Sequence, residues 1–313
     1  MHTKNSVLTH KSAQSYNFFF KYANFPEHLF AKLYFFLYLC KPLPKNITMK
    51  PILRSIHRLS LYAVLAVLSL IPSSAQAGTN VQIYYDFGSL GTACANQRSP
   101  RVTTTLELFY PDSWGNTFAF IDIDYAIHPN DPDNTPFMMY GEIARCLNFW
   151  QQTQAKDLSI QIEYNGGLGI GKGAGGALYG YGINHAALLG LNYCLHTTDY
   201  KNIFNLELLY KYIADPANGF RNQVPLQFTF VWGCDDFCTA PGLRFSGFLD
   251  IWGQRNAAGQ SFVMIGEPQL WYNVGRWFKC PNLNLGTEIE FSYNFTGSGF
   301  MCNPCLGIKW TFD

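Results

Sequence analysis

Charge is scarce in this sequence, since only 14% of its 313 residues are Asp, Glu, Lys or Arg, against about 25% in ordinary domains. An excess of one sign is absent too, with 22 Lys and Arg against 21 Asp and Glu. Binding nucleic acid through its phosphates requires a basic footprint, so that class of partner is excluded. Long apolar runs are also missing. A helical membrane protein needs several stretches of about 20 apolar residues. The longest run here, Leu59–Ile71, has 13 residues and contains Ser60, Tyr62 and Ser69. Glycine is absent from residues 1–77, which hold nine Lys or Arg and one acid, Glu27. What the chain has in quantity is aromatic side chains, 17% of the total, a load that disordered chains lack. Residues 78–313 carry all 27 glycines and a net charge of −7. They form a second, different material, and the folded one.

Lys50, Arg54 and Arg58 precede the apolar run, and Pro72-Ser73-Ser74-Ala75-Gln76-Ala77 follows it. A basic flank, a short apolar core and small residues three and one before Gly78 are the parts of a secretory signal peptide. The run is too short for a transmembrane anchor, and Gly78 stands where a lipid-modified Cys would. We therefore expect residues 49–77 to be a signal that begins at Met49 and is cut after Ala77. Residues 1–48 read as an upstream extension from a start assigned too early, and 78–313 as the mature domain.

Period two dominates the mature chain. From Leu283 to Phe295, Leu283, Leu285, Thr287, Ile289, Phe291, Tyr293 and Phe295 share one face, while Asn284, Gly286, Glu288, Glu290, Ser292 and Asn294 share the other. Such alternation is a strand with one apolar and one polar face. Eleven more strands are expected at Val81–Phe87, Val102–Tyr110, Asn116–Tyr125, Phe137–Phe149, Leu158–Tyr164, His185–His196, Ile203–Ile213, Leu226–Trp232, Leu243–Trp252, Phe262–Asn273 and Cys305–Phe312. Most approach the 9–11 residues of a tilted membrane strand. Aromatics gather near their ends: Trp114, Phe149, Trp232, Trp252, Trp271, Tyr272 and Trp310. The fold class is therefore all-β, a 12-stranded antiparallel transmembrane barrel of the outer-membrane kind. A soluble secreted sandwich or lipocalin-like barrel is the alternative, with the apolar face turned inward.

With the apolar face against lipid, the alternation turns a set of polar groups into the lumen. These are Asp86, Glu107, Asp122, Asp124, Glu163, Glu207, Lys211, Arg244, Asp250, Glu288, Glu290 and Lys309, together with Gln82, Ser159 and Gln161. Two segments disturb the pattern. Gly141-Glu142-Ile143-Ala144-Arg145 puts Glu142 and Arg145 on opposite faces, and Gly266-Glu267-Pro268-Gln269 places a proline inside a strand. Bulges at both sites would turn Glu142, Arg145 and Glu267 into the pore; plain curvature is the alternative. Acids outnumber bases, which favours neutral or cationic solutes.

Eight cysteines follow the signal, and an even count after export favours disulfides. Cys94 shares an end with Cys302 and Cys305, while Cys234, Cys238 and Cys280 share the other; Cys146 and Cys194 read as small apolar residues. Zinc lacks clustered histidines, so no metal and no cofactor is expected. The Gly169–Gly176 stretch lacks the Lys-Ser/Thr end and helix of a phosphate loop and reads as part of an external loop at Asn165–Asn184. Catalysis of the phospholipase kind needs a lipid-facing Ser and His in reach of each other. His128, His185 and His196 stand in no His-x-Ser context.

The blocks Thr105-Leu106-Glu107-Leu108-Phe109, Trp114–Asp124 and Gly141–Arg145 resemble the Tsx-type nucleoside-specific channels. With Ile162–Gly167 and Glu267–Asn273 they more closely resemble an uncharacterised outer-membrane family related to Tsx. The resemblance implies a monomeric twelve-stranded barrel that passes nucleosides or similar small polar solutes through the outer membrane of a Gram-negative bacterium. It implies no enzyme activity and carries over no substrate-contacting residue. A plugged structural or receptor barrel, or an outer-membrane phospholipase-like enzyme, are the competing functions.

Overall fold

The computed structural model describes residues 78–90, 98–127, 136–214, 225–254, 262–295 and 298–312. The expected signal, the upstream extension, Cys94 and His128 lie outside them. The strands are β1 (Thr79–Asp86), β2 (Arg101–Asp112), β3 (Gly115–Ala126), β4 (Pro136–Leu147), β5 (Leu158–Lys172), β6 (Leu178–His196) and β7 (Asn202–Ile213). They continue as β8 (Leu226–Asp235), β9 (Leu243–Trp252), β10 (Val263–Gly266), β11 (Gln269–Tyr272), β12 (Leu283–Tyr293) and β13 (Phe300–Phe312).

β10 and β11 are two halves of one strand. Both pair with β9 on one side and β12 on the other, and the register runs unbroken past Glu267 and Pro268. No bulge forms there. Pro268 lacks the N–H that the ladder would use, while Glu267 N still donates to Phe248 O and Pro268 O still accepts from Ile289 N. Gly247 makes room on β9: at its φ of 152°, an added Cβ would lie 2.4 Å from Glu267 O and 3.0 Å from Pro268 Cα. The sheet is thus a twelve-stranded antiparallel barrel, closed by the pairing of β13 with both β1 and β12. No helix among the described residues is long and apolar enough to cross a membrane.

The two ends of the barrel differ. One end, the turn end, carries Gly78, the tight Ser113-Trp114 turn and the connections after β4, β6, β8 and β11. The connections after β1, β3, β7, β9 and β12 lie at the loop end, with the long β5–β6 hairpin. That hairpin corrects the external loop expected over 165–184. Its glycines are strand residues covered by tyrosines: a Cβ on Gly169 would lie 2.2 Å from the Tyr181 ring, and one on Gly171 2.4 Å from Tyr179. The aromatic ring fills the surface that the cross-strand glycine leaves bare. Likewise β13 begins at Phe300, not Cys305, so Cys302 and Cys305 lie within the wall.

Side-chain polarity is inverted relative to a water-soluble fold. Asn303 is 0% exposed while Leu306, on the opposite face of the same strand, is 60% exposed. Ile83, Ile143, Leu189, Leu208 and Ile308 are exposed around the barrel, and Gln82, Gln161, Gln227 and Ser292 are buried inside it. A soluble sandwich or lipocalin-like barrel buries its apolar face, so the alternative fold is set aside. A continuous apolar exterior of this kind is matched by hydrocarbon and not by water. Two tryptophans depart from the expected end belts. Trp252 and Trp271 are turned inward and buried, at 6% and 2% exposure.

Candidate functional site

The lumen is built strand by strand from the polar face, and its side chains fall into three zones. At the loop end, Arg98 reaches in from the β1–β2 connection. That connection is pinned to the wall, since Leu90 N donates to Cys302 O at 2.9 Å and Ser89 N to Arg98 O at 3.0 Å. The Arg98 guanidinium spans two carboxylates, with Nη2 at 2.5 Å from Asp86 Oδ2 and Nη1 at 2.5 Å from Glu290 Oε2. Asn303 Nδ2 donates to the other Glu290 oxygen at 3.0 Å, and Gly88 N to Asp86 Oδ1 at 2.7 Å. Beside this bridge, Arg101 pairs with Asp124 at 2.9 Å and lies over the Phe137 ring, 5.1 Å from its centroid. Thr103 Oγ1 donates to the same Asp124 at 2.6 Å.

The middle zone holds acids that are bound mostly by neutral groups. Thr105 Oγ1 donates to Asp122 at 2.5 Å, Tyr140 Oη to Glu142 at 2.6 Å and Thr229 Oγ1 to Asp250 at 2.6 Å. Gln161 Nε2 is shared by Glu163 and Glu207 at 2.9 and 2.7 Å, and Asn192 Nδ2 joins Gln161 to Glu207. Asn165 links Glu142 to Glu163 at 3.3 Å each. The Lys211 ammonium donates to Gln227 at 2.7 Å and stands 3.9 Å above the Trp252 ring. A buried carboxylate must keep its hydrogen bonds to remain inside, and these amides and hydroxyls supply them. Glu267 enters this zone from the link between β10 and β11, beside Phe248 on β9, by plain alternation.

At the turn end, Glu107 accepts from Asn80 at 2.8 Å, and Gln82 connects Asn80 to the Tyr84 hydroxyl. Gln269 donates to Glu288 at 2.6 Å and accepts from Trp271 Nε1 at 2.9 Å. The Trp271 indole lies across two facing glycines, since a Cβ on Gly286 or Gly307 would lie 2.4 or 2.9 Å from it. Lys309 caps the ring, with Nζ 4.1 Å from the centroid. Arg244 pairs with Asp235 at the rim.

Arg145 is a correction. The β3–β4 and β4–β5 registers run without a bulge through Glu142 and Arg145, so Glu142 faces the lumen and Arg145 faces out. Its guanidinium reaches past the strand end to Asp112 at 2.8 Å and to Thr117 Oγ1 at 3.0 Å. A cation this close to the rim avoids the cost it would carry at the bilayer midplane. The cysteine expectations also change. Cys234, Cys238, Cys280 and Cys305 are free thiols, and Cys305 packs inside against Tyr84 and Trp271. Any bridge to Cys94 falls outside the described residues. Among those residues no group of His, Cys, Asp and Glu is arranged to hold a metal ion.

Sequence reasoning missed Arg98, Arg101, Trp252 and Trp271. Arg101 continues the inward parity of Thr103, Thr105 and Glu107, so the same alternation extended by one pair finds it. Nothing local marks Arg98, whose partners are 12 and 192 residues away.

A family model described as a domain of unknown function, DUF5020, matches residues 78–312. The chain belongs to the DUF5020 family. Among curated proteins none matches it in sequence. Solved structures similar to this DUF5020 barrel include the NanC porin in a rhombohedral crystal form, at 10% identity over 75% of this chain and 100% of that one, with a TM-score of 0.44. The outer membrane phospholipase A from Escherichia coli gives 13% identity over 79% and 96%, with a TM-score of 0.40. A BenF-like porin from Pseudomonas fluorescens Pf-5 gives 9% over 77% and 99%, with a TM-score of 0.39. Likeness at that level identifies no activity and no solute. The resemblance to Tsx rests on short motifs, whereas the DUF5020 match spans the whole barrel.

Proposed function

We propose that residues 78–313 form an outer-membrane channel for passive diffusion of small polar solutes, nucleosides among them, after export directed by residues 49–77. One observation carries this reading: a hydrogen-bonded polar interior enclosed by an apolar exterior, the reverse of a soluble domain. Twelve strands lie between the eight whose interior side chains fill and the sixteen that leave an open channel, which supports a narrow path. Asp122, Glu142, Asp250, Glu267 and Glu288 line that path, with Tyr140, Phe120 and Phe248 as the cross-strand neighbours of Asp122, Glu142 and Glu267. Weak contacts at several such groups would let a solute enter and leave. The acidic middle zone favours neutral and cationic solutes over anions. The channel works as a monomer, without cofactor. Of the described histidines, His185 bonds to Tyr164 and His196 to Thr197 and Asp157.

A specific feature supports a second reading, a plugged barrel. Arg98 reaches into the loop end and is held there between Asp86 and Glu290, which flank β13, and Gln82, Gln161, Gln227 and Asn303 are sealed from solvent. Planar-bilayer conductance of refolded 78–313, with nucleosides titrated in, separates the two. Current blocked by nucleoside establishes a selective channel, and current without block removes the nucleoside. No current from a heat-modifiable, folded barrel establishes the plug.

A further inference from the structure

Four consecutive side chains at the turn end, Arg276, Trp277, Phe278 and Lys279, are all exposed, the two aromatics at 66% and 70%. They leave β11 through the 3₁₀ turn Val274–Trp277, whose Val274 and Gly275 are buried. Asn273 clamps the turn from both sides, accepting from Arg276 N at 3.2 Å and donating to Pro281 O at 2.6 Å. Cys280 N closes it on Gly275 O at 2.9 Å. A rigid backbone therefore holds these four side chains away from the barrel interior.

The neighbourhood is shaped as well as exposed. Trp271 points into the lumen, so Tyr272 points out, and its ring centroid lies 5.4 Å from that of Trp277. Tyr272, Trp277, Arg276 and Pro241 line an open cavity of about 360 Å³ on the outer side of the barrel. Arg276 Nη1 donates to Pro241 O at 2.5 Å, which fixes the guanidinium along one wall. Asp236 lies within electrostatic range of Arg276, and its carboxylate is bound directly by Lys201 Nζ at 2.7 Å and by Gly242 N at 2.9 Å.

Two exposed aromatics flanked by two cations suit one environment. The ring of a Trp or Phe gains at the headgroup level of a bilayer, and a guanidinium beside it binds a phosphodiester with charge-assisted hydrogen bonds. We propose that this cavity is a phospholipid site. The lipid phosphodiester accepts hydrogen bonds from Arg276 and Lys279, and the upper acyl chain lies against Tyr272, Trp277 and Phe278. Arg276 on the cavity wall, with the exposed Lys279 three residues on in the same turn, favours an anionic lipid such as phosphatidylglycerol over a zwitterionic one. The site rests on the reading of the barrel as membrane-embedded with its turn end at the phospholipid leaflet.

Tryptophan quenching tests it, using the refolded barrel in phosphatidylcholine vesicles doped with chain-brominated phosphatidylglycerol or chain-brominated phosphatidylcholine. The Trp277 signal is the difference between the parent and Trp277→Phe. We expect brominated phosphatidylglycerol to quench Trp277 at least twofold more than brominated phosphatidylcholine at equal mole fraction. Arg276→Ala with Lys279→Ala should abolish that preference and leave quenching of the remaining tryptophans unchanged. Lys279→Glu alone, at an exposed position, should weaken the preference and serves if the double variant does not fold. Equal quenching by both lipids in the parent overturns the site while keeping the membrane barrel, as does a preference that survives both variants. Loss of the preference in millimolar inorganic phosphate, but not in chloride of equal ionic strength, assigns the cations to a free anion and also overturns it. If no tryptophan is quenched, Trp310 on the outer wall included, the membrane reading itself fails.

Discussion

Replacing Arg98 with alanine removes the cation that lies between Asp86 and Glu290. Their side chains are 1% and 10% exposed, so water replaces little of what is lost. Removing one partner of a buried ion pair costs about 3–5 kcal/mol. Asp86 keeps its bond from Gly88 N and Glu290 keeps Asn303, so the lower figure applies, about 3 kcal/mol. That is on the order of a hundredfold in the unfolding equilibrium, since each 1.4 kcal/mol is tenfold. Urea unfolding of the refolded barrel in vesicles reads the loss. A double-mutant cycle with Glu290→Gln isolates the pairwise part, and we expect coupling of about 1 kcal/mol or more. High salt should change the result little, because a buried pair is poorly screened. Because Arg98 also ties the β1–β2 connection to the wall inside the loop end, its removal should raise single-channel current. A destabilisation below about 1 kcal/mol with an additive cycle would show that the guanidinium does not bridge these carboxylates.

Glu142 and Arg145, three residues apart on β4, should behave oppositely. Glu142→Gln should lower cation selectivity, read as reversal potential across a salt gradient, and an unchanged potential would remove Glu142 from the solute path. Arg145→Gln should leave that potential alone and cost no more than about 1 kcal/mol of stability, because its pair with Asp112 sits at the rim. Gly307→Ala should destabilise by about 1–3 kcal/mol, since its Cβ would lie 2.7 Å from Tyr84 and 2.9 Å from Trp271; Gly307→Ala paired with Trp271→Phe should recover part of the loss. In the turn after β8, the hydrogen bond from Lys201, followed by that from Gly242 N, holds the Asp236 carboxyl below its usual range. A lowered folded value means the ion pair stabilises above the ordinary carboxylate range and is lost as pH falls through the folded value. Side-chain NMR titration should place the Asp236 midpoint below that of Asp236 in a peptide, and a normal midpoint refutes the pairing.

Much of this barrel is legible in its sequence, for a reason rooted in the backbone. Successive side chains of a strand point to opposite faces, so the period alone assigns the facing of Asp122, Glu163, Glu207, Asp250 and Glu288, and the number of periodic segments gives the strand count. The same rule puts Glu142 and Arg145 on opposite faces without a bulge, and the position of Arg145 near the strand end, paired with Asp112, removes the cost of its facing outward. Trp271 shares its parity with Gln269 and Glu267, yet its place near a strand end suggested a lipid-facing belt. Only the facing Gly286 and Gly307, on β12 and β13, make space for an indole inside. The hairpin over 165–184 escaped notice because glycine reads locally as loop, whereas Tyr179 and Tyr181 on the partner strand supply what those glycines lack. Which inward groups meet is a property of closure. Pairing β13 with both β1 and β12 brings Asp86, Arg98 and Glu290 together across 192 residues of chain, and no local period records a contact made by the ring closing on itself.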